Sequence, residues 1–233
     1  EEYLSRYEEL EVDSQIPRQE AFDQVAVITQ NYPIAENEEE AEHTYLSYNR
    51  VIGTALDVKL CTAFEVLDYA LLSAPGAPLK KALLDAKIGK DIYGAFEDGI
   101  YQPYFSVIAK ESDPAKNEQF QQIIQDTLRE IVRDGIDQKA LEAGINFYEF
   151  RYREADYASF PKGLIYGLDI LETWLYDEDR PFDAVQRLSV YDELKKEKNT
   201  GYFENLIQKY LLDNSHGSSL MLVPKKGLNK ERE

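Results

Sequence analysis

The chain has 233 residues, of which 44 are acidic and 26 are basic, so its formal net charge is −18. This acidity argues against nucleic acid as a partner, because nucleic-acid-binding proteins need a basic surface. The single cysteine excludes an internal disulfide framework and any multi-cysteine metal cluster. No stretch approaches the roughly 20 apolar residues that a membrane-spanning helix needs, so no membrane partner is expected.

The amino-terminal half predicts a lead-in segment followed by alternating strands and helices. Residues 1–42 are interpreted as an opening helix at 1–10 and an irregular or extended connection, because prolines interrupt it and the acidic run at 35–42 is typical of a solvated loop. The next predicted elements are a strand at 43–52, a helix at 57–74 with Asp57 as N-cap, a break at 75–78, a short helix at 79–86, and a hairpin of strands at 91–99 and 103–110.

The carboxyl-terminal half predicts mainly helices. They are expected at 114–134 with Gly135 as its stop, from a cap at Asp137 to about residue 154, at 162–176, at 181–197 and at 202–213, before a last strand at 218–223. Strands grouped beside long helices indicate an α+β domain in two layers, with a mostly antiparallel sheet covered by helices on one face. The α+β core is placed at 43–223, and residues 224–233 are taken as the start of an interdomain linker.

The two histidines form no metal-binding motif. A zinc-peptidase helix places two histidines within one turn, with a glutamate beside them. Here His43 precedes Thr-Tyr-Leu-Ser and His216 precedes Gly-Ser-Ser-Leu, so neither HxxEH nor its inverse is present. The pattern favours a strand-edge His43 and a turn His216; a site where both meet and recruit a carboxylate is the open alternative.

Nucleophilic catalysis finds equally little support in the sequence. Cys61 lies in an apolar helical stretch, where a cysteine usually behaves as a small hydrophobic residue. There is no GxSxG turn and no glycine-rich phosphate loop. A hydrolase that uses Glu149 or Glu154 as a catalytic carboxylate remains a remote alternative.

The densest mixed cluster of charges lies near residue 150. Glu149 and Arg153 are four residues apart on a predicted helix and are expected to form an ion pair. Arg151 points elsewhere around the helix, and Tyr148 and Tyr152 combine an apolar ring with a polar tip that suits an interface. We take these five as candidate chamber or interface residues, against the alternatives of an ion-paired helix face and a core margin. No residue is predicted to be catalytic or metal-binding.

Five segments resemble the presequence protease-like branch of the insulinase (pitrilysin-type) zinc metallopeptidases. They are YLSRYEELEVDSQIP, TYLSYNRVIG, LDYALLSAPGAPLKKALLDAKIG, PYFSVIAKESDPAK and GINFYEFRYREADYASFPKGL. The most specific part of the resemblance is the combination of two features. One is the turn after the first long helix, which contains small residues, prolines and a leucine-lysine pair; the other is the helix with the sequence EFRxRE. The resemblance runs in order over essentially the whole chain.

The resemblance implies a metallopeptidase-repeat (LuxS/MPP-like) fold and a position in a longer enzyme. Such enzymes have four related α+β domains in two halves that close around a chamber, with the zinc-binding helix in the first domain. This chain is similar to the second, non-catalytic domain of the first half. It therefore implies no cofactor in this chain, zinc in the catalytic domain of the parent, and as partners the other domains of the polypeptide and an unstructured peptide substrate.

The terminal residues fit that interpretation. The only methionine is Met221, and helical spacing begins within the first residues, so we interpret the chain as a segment of a longer polypeptide. The alternative is a stand-alone protein-interaction module derived from an inactive peptidase. Localisation is open, although a single cysteine mildly favours a reducing, cytoplasmic compartment.

Overall fold

The chain folds around one five-stranded sheet. In the computed structural model the residues described are 3, 6–8, 10, 12–155, 157 and 159–229. Half of the residues of the opening helix predicted at 1–10 lie outside this described part, so that helix stays a prediction. The last four residues of the predicted linker also lie outside it.

The sheet has the strand order β1-β5-β2-β4-β3, so the last strand of the chain lies between the first two. β1 runs parallel to β5, whereas β5–β2, β2–β4 and β4–β3 are antiparallel. The predicted hairpin is the β3–β4 pair. The strands are β1 (Ala26–Ile34), β2 (Thr44–Val51), β3 (Asp91–Glu97), β4 (Tyr104–Ser112) and β5 (Gly217–Lys226).

Seven α-helices lie among the remaining described residues. Two of them, α1 and α7, continue directly as π-helical segments over Tyr69–Ser73 and Ile207–Leu212. The α-helices are α1 (Val58–Asp68), α2 (Pro78–Asp85), α3 (Asn117–Asp134), α4 (Gln138–Glu154), α5 (Lys162–Trp174), α6 (Leu188–Glu197) and α7 (Tyr202–Leu206).

Local sequence signals set several helix ends as predicted. The Asp57 side chain accepts a hydrogen bond from the main-chain N–H of Leu60 at 3.0 Å and caps α1. Asp137 does the same for α4, since its side chain accepts from the N–H of Lys139 at 2.9 Å. Gly135 ends α3 with a φ of 92°, a left-handed conformation that glycine adopts at little cost.

The helices cover one face of the sheet, as predicted. Helices α1 and α2 contact β3, and α3 contacts β2. The core between the layers includes the buried side chains of Tyr48, Phe64, Phe105 and Val107. Gly94 of β3 is needed there, because a Cβ at this position would lie 2.0 Å from the Oδ1 atom of Asp68 in the helical layer. The opposite face of the sheet is open and carries the candidate site.

Three boundaries differ from the sequence prediction. β1 was not predicted, and it lies within the range interpreted as an irregular or extended connection. β5 continues three residues past the predicted end at Val223, so it extends into the range taken as linker. The helix predicted from residue 181 begins at Leu188, because a short 3₁₀ turn at Asp183–Val185 precedes it.

Of the helices in the described part of the chain, none combines the length and the apolarity that crossing a membrane would require.

Candidate functional site

The predicted pair on α4 forms, and it connects two helices. The Arg153 guanidinium donates to Glu149 Oε1 from Nε at 3.0 Å and from NH2 at 2.7 Å, which confirms the predicted ion pair. Lys195 of α6 contacts the other carboxylate oxygen. These hydrogen bonds, first that from Lys195 and then that from Arg153, hold the pKa of Glu149 below its usual value. Glu149 therefore fastens α4 to α6.

The other three predicted residues lie around a different cavity. Tyr148, Arg151 and Tyr152 line a space of about 540 Å³ between the helices. The Tyr152 hydroxyl donates to the main-chain carbonyl of Val185, and the Arg151 guanidinium lies 5.7 Å from the centre of the Phe147 ring. Burial raises the pKa of Tyr148, so its hydroxyl stays protonated. The five candidates thus divide between an interhelical ion pair and this cavity.

Sequence analysis missed an arginine that lines this cavity, Arg187, whose side chain is 12% exposed. Arg187 lies just before α6; its NH2 atom is 2.7 Å from Glu172 of α5, and its NH1 atom is 3.6 Å from Glu65 of α1. Burial raises the pKa of Glu172 to about 8 and that of Glu65 to about 7, although Arg187 opposes both shifts. The three side chains come from distant parts of the sequence, so no local pattern could identify them. We call Arg187, Glu65 and Glu172 the arginine cluster.

The larger concavity lies on the open face of the sheet and measures about 920 Å³. None of its lining residues lies on a helix. Its lining combines aromatic side chains with aliphatic and small polar ones. The lining residues from the strands include Tyr45, Ser47, Asn49, Tyr93, Tyr104, Ser106, Ile108, Ser218, Leu220 and Leu222. We call this concavity the open-face groove.

A row of neutral polar side chains crosses the floor of the groove. Asn49 of β2 is in register with Ser106 of β4 and Ser218 of β5. Ser106 Oγ donates to Asn49 Oδ1 at 2.6 Å, while Asn49 Nδ2 donates to Ser47 Oγ at 2.9 Å and to Ser218 Oγ at 3.1 Å. Such a row can exchange hydrogen bonds with a ligand without requiring a particular charge.

One end of the groove carries a histidine. His216 is 7% exposed, and the centre of its ring lies 4.8 Å from that of Phe22, in an edge-on arrangement. Its Nδ1 atom has no hydrogen-bond partner among the described residues. Burial is the main cause that lowers its pKa, and the nearby positive charge of Arg18 adds to the effect. Both effects favour the neutral form of the imidazole.

The residues present do not fit a zinc centre. His216 adjoins the end of β2 at Val51, whereas His43 precedes its first residue, so the two imidazoles lie at opposite ends of this eight-residue strand. That separation is on the order of 25 Å, far beyond the reach of two ligands of one ion. Among the described residues, no group of three or more His, Cys, Asp or Glu side chains is arranged to hold a metal ion.

Cys61 also has the surroundings of a structural residue. It is buried in α1, and burial raises the pKa of its thiol. A thiol in this state is a poor nucleophile, because the reactive species is the thiolate.

The open-face groove is therefore suited to binding a ligand, through neutral hydrogen bonds and aromatic contacts.

Comparison with known proteins identifies relatives over the whole length of the chain. The family model described as "Peptidase M16 inactive domain" matches residues 1–148. Protein HypA of Clostridium perfringens is 41% identical over 232 residues, which are 100% of this chain and 24% of that protein. Presequence protease 1, chloroplastic/mitochondrial, of Arabidopsis thaliana is 29% identical over 231 residues, which are 96% of this chain and 21% of that protein. The chain thus spans about a quarter of the length of these relatives.

A solved structure supports the same fold. The inactive peptidase domain of a protein from Bordetella parapertussis superposes with a TM-score of 0.60 at 14% sequence identity. The match covers 78% of this chain and 91% of that chain. At this identity the likeness concerns the fold alone, and it agrees with the predicted α+β class.

Proposed function

The chain belongs to the M16 peptidase inactive-domain family, and on that premise we propose that it lines the substrate chamber of a zinc-dependent oligopeptidase. In this proposal the chain performs no bond cleavage itself. Its open-face groove is part of the wall that holds an unstructured peptide, while zinc belongs to a catalytic domain elsewhere in the parent protein. The name of one relative supports a peptidase parent, since the Arabidopsis thaliana protein is a presequence protease.

The observation that carries the proposal is the chemistry of the open face. Alternate residues of a strand point to opposite sides, so a sheet that needs only one packed face leaves the other free. Here the free face is concave, and its floor combines Asn49 and three serines with aliphatic side chains. Neutral donors and acceptors suit the main chain of a peptide whatever its sequence. The net charge of −18 adds attraction for basic peptides.

A charge-matched pair of variants tests the binding role. Leu220 lies in the groove, whereas Leu84 is exposed on α2. Leu220→Arg and Leu84→Arg change the net charge equally, so any difference between them comes from position. With a fluorescein-labelled, unstructured basic peptide of about 20 residues, we expect Leu220→Arg to raise the Kd at least tenfold and Leu84→Arg to change it less than twofold.

The same samples test the non-catalytic role. Mass spectrometry of the peptide after incubation with the chain and added zinc is expected to find it intact. Cleavage that a chelator abolishes would contradict the proposal, as would equal Kd values for Leu220→Arg and the unsubstituted chain.

A second surface fits contact with the other domains of a longer polypeptide. Helix α5 and its C-cap residue Leu175 expose apolar side chains that recur with helical spacing, at Leu164, Leu168, Leu171 and Leu175. Exposed apolar side chains that cluster on one side of a helix are typical of interaction sites. Because the relatives are about four times as long as this chain, we assign the stripe to a partner domain. Sedimentation should then find a monomer; a dimer that Leu168→Glu dissociates would instead identify a second copy as the occupant.

A further inference from the structure

One end of the open-face groove is already occupied by a peptide segment of the chain itself. Residues 16–22, which we call the strap, form no helix or strand and lie beside the groove. Four strap residues line it: Ile16, Pro17, Gln19 and Phe22. The strap is poorly buried, since Ile16 is 51% exposed and Phe22 is 37% exposed. It therefore rests on the groove instead of being part of the core.

The hydrogen bonds that hold the strap are made to its main chain. The Gln102 side chain accepts from the N–H of Gln19 at 2.6 Å and donates to the carbonyl of the same residue at 3.2 Å. Ser215 Oγ donates to the carbonyl of Phe22 at 2.6 Å. Main-chain groups are common to all peptides, so these three bonds do not depend on the identity of the strap residues.

The strap leaves one hydrogen-bonding atom at this end of the groove without a partner. The Phe22 ring lies nearly perpendicular to the His216 ring and offers the imidazole no hydrogen bond. His216 Nδ1 is buried, and no described residue pairs with it. A buried polar atom without a partner is unfavourable, so an occupant that brings a donor or acceptor to His216 would be held better than the strap.

From these contacts we infer that Gln102, Ser215 and His216 form a subsite for the main chain of an extended polypeptide. The strap is its resident occupant, and a substrate peptide displaces it. This inference rests on the proposed function, because it assumes that the open-face groove binds peptides. The inference adds two points to that function: which residues bind the main chain of the peptide, and that the strap competes with the peptide for them. A tethered competitor acts at a high effective concentration, so it weakens the binding of a free peptide.

Changes confined to the strap test the displacement. Gln19→Pro removes the N–H that binds Gln102 and leaves the sheet unaltered, while Phe22→Ala removes the contact with His216. We expect each variant to lower the Kd of the labelled basic peptide, by about fivefold singly and at least tenfold together. Ser14→Pro is the matched control, since no described hydrogen bond connects Ser14 to the sheet, and it should leave the Kd unchanged.

A change in the subsite itself completes the test. When Gln102→Leu is added to the released chain, it should raise the Kd at least fivefold, because the peptide then loses the amide that bound the strap. Thermal unfolding of each variant verifies that it folds. If Gln19→Pro does not fold, Phe22→Ala alone is used to release the strap.

The outcomes separate this inference from the proposed function. If Leu220→Arg abolishes binding but release of the strap leaves the Kd unchanged or raises it, the subsite is wrong and the groove remains a peptide site. If neither the intact nor the released chain binds the peptide, both proposals are overturned.

Discussion

On the helix-covered side of β4, the side chains of Phe105, Val107 and Ala109 are fully buried and apolar. On the open side of the same strand, Tyr104, Ser106 and Ile108 line the groove. The contrast runs across the sheet, because β2 and β5 also alternate between core residues and groove residues. The covered side thus supplies stability, while the open side is free to retain polar groups that a core would not tolerate unpaired. Stability and binding can therefore be separated by substitutions at adjacent positions.

The largest effect is expected from a pair of neighbours that point to opposite sides. Phe105 is 0% exposed and Tyr104 is 36% exposed. Phe105→Ala should lower the free energy of unfolding by about 3–5 kcal/mol, because it leaves a cavity in the core. Tyr104→Ala should lower it by less than about 1 kcal/mol, yet weaken peptide binding. Urea unfolding and the peptide anisotropy assay measure the two effects.

Equal losses of stability in the two variants would contradict the comparison between the two sides of the sheet. If Tyr104→Ala destabilised the chain as much as Phe105→Ala does, the open face would be part of the core and not a binding surface.

The second prediction concerns the arginine cluster, whose charged side chains are mostly shielded from solvent within the helical layer. Arg187→Met removes the cation that faces Glu65 and Glu172. Loss of one partner of a buried ion pair typically costs about 3 kcal/mol, provided that the remaining carboxylates are charged. We therefore expect the loss in the free energy of unfolding to be about 3 kcal/mol at pH 8.5 and below about 1 kcal/mol at pH 5.

The sign of this pH dependence follows from the two raised pKa values. In the unfolded chain both glutamates titrate near 4.3, whereas in the folded chain burial raises the pKa values to about 7 and about 8. The folded state binds these protons more tightly, so the stability that they contribute is complete below about pH 4.3 and is lost as the pH rises to about 8. Urea unfolding at both pH values, with Arg187→Lys as control, measures the difference. An equal loss at pH 5 and pH 8.5 would contradict it.

The sequence predicted those parts of the fold that local signals determine. The Asp57 and Asp137 caps, the Gly135 stop and the β3–β4 hairpin each depend on residues close together in the chain. The resemblance quoted from five segments supplied the family, and the matching family model agrees with it. The ion pair of Glu149 with Arg153 was predictable for the same reason, since its partners lie one helical turn apart.

The remaining features depend on contacts between distant residues. β1 lies at the edge of the sheet and, within the described part of the chain, pairs only with β5 from its other end. It is mostly exposed, so it shows no alternation of apolar residues. An edge strand also tolerates Pro33, which argued against a strand. The arginine cluster and the Gln102 subsite likewise join residues far apart in sequence. Only the folded chain brings such groups together.

The smallest effect is expected at the ion pair on α4. This pair lies at the margin of the helical layer, so it tests whether charge on the covered side contributes to stability and not to peptide binding. The Glu149 side chain is buried but receives both Arg153 and Lys195, and each of these cations is partly exposed. Either Arg153→Ala or Lys195→Ala should lower the free energy of unfolding by less than about 1 kcal/mol, because the other cation remains. The double variant should lose about 2 kcal/mol, more than the sum, since the carboxylate is then left without a cation.

A double-mutant cycle by urea unfolding at pH 7 and pH 3 measures this coupling. The cations hold the pKa of Glu149 below its unfolded value, so the stability that the carboxylate contributes is present above about pH 4.3 and is lost as the pH falls through the folded pKa. The coupling should therefore be smaller at pH 3 than at pH 7. Peptide binding should be unchanged in all three variants, because Glu149 lies on the helical side of the molecule and the groove on the other. If Arg153→Ala raised the Kd of the peptide and left the free energy of unfolding unchanged, α4 would instead be assigned to the substrate chamber.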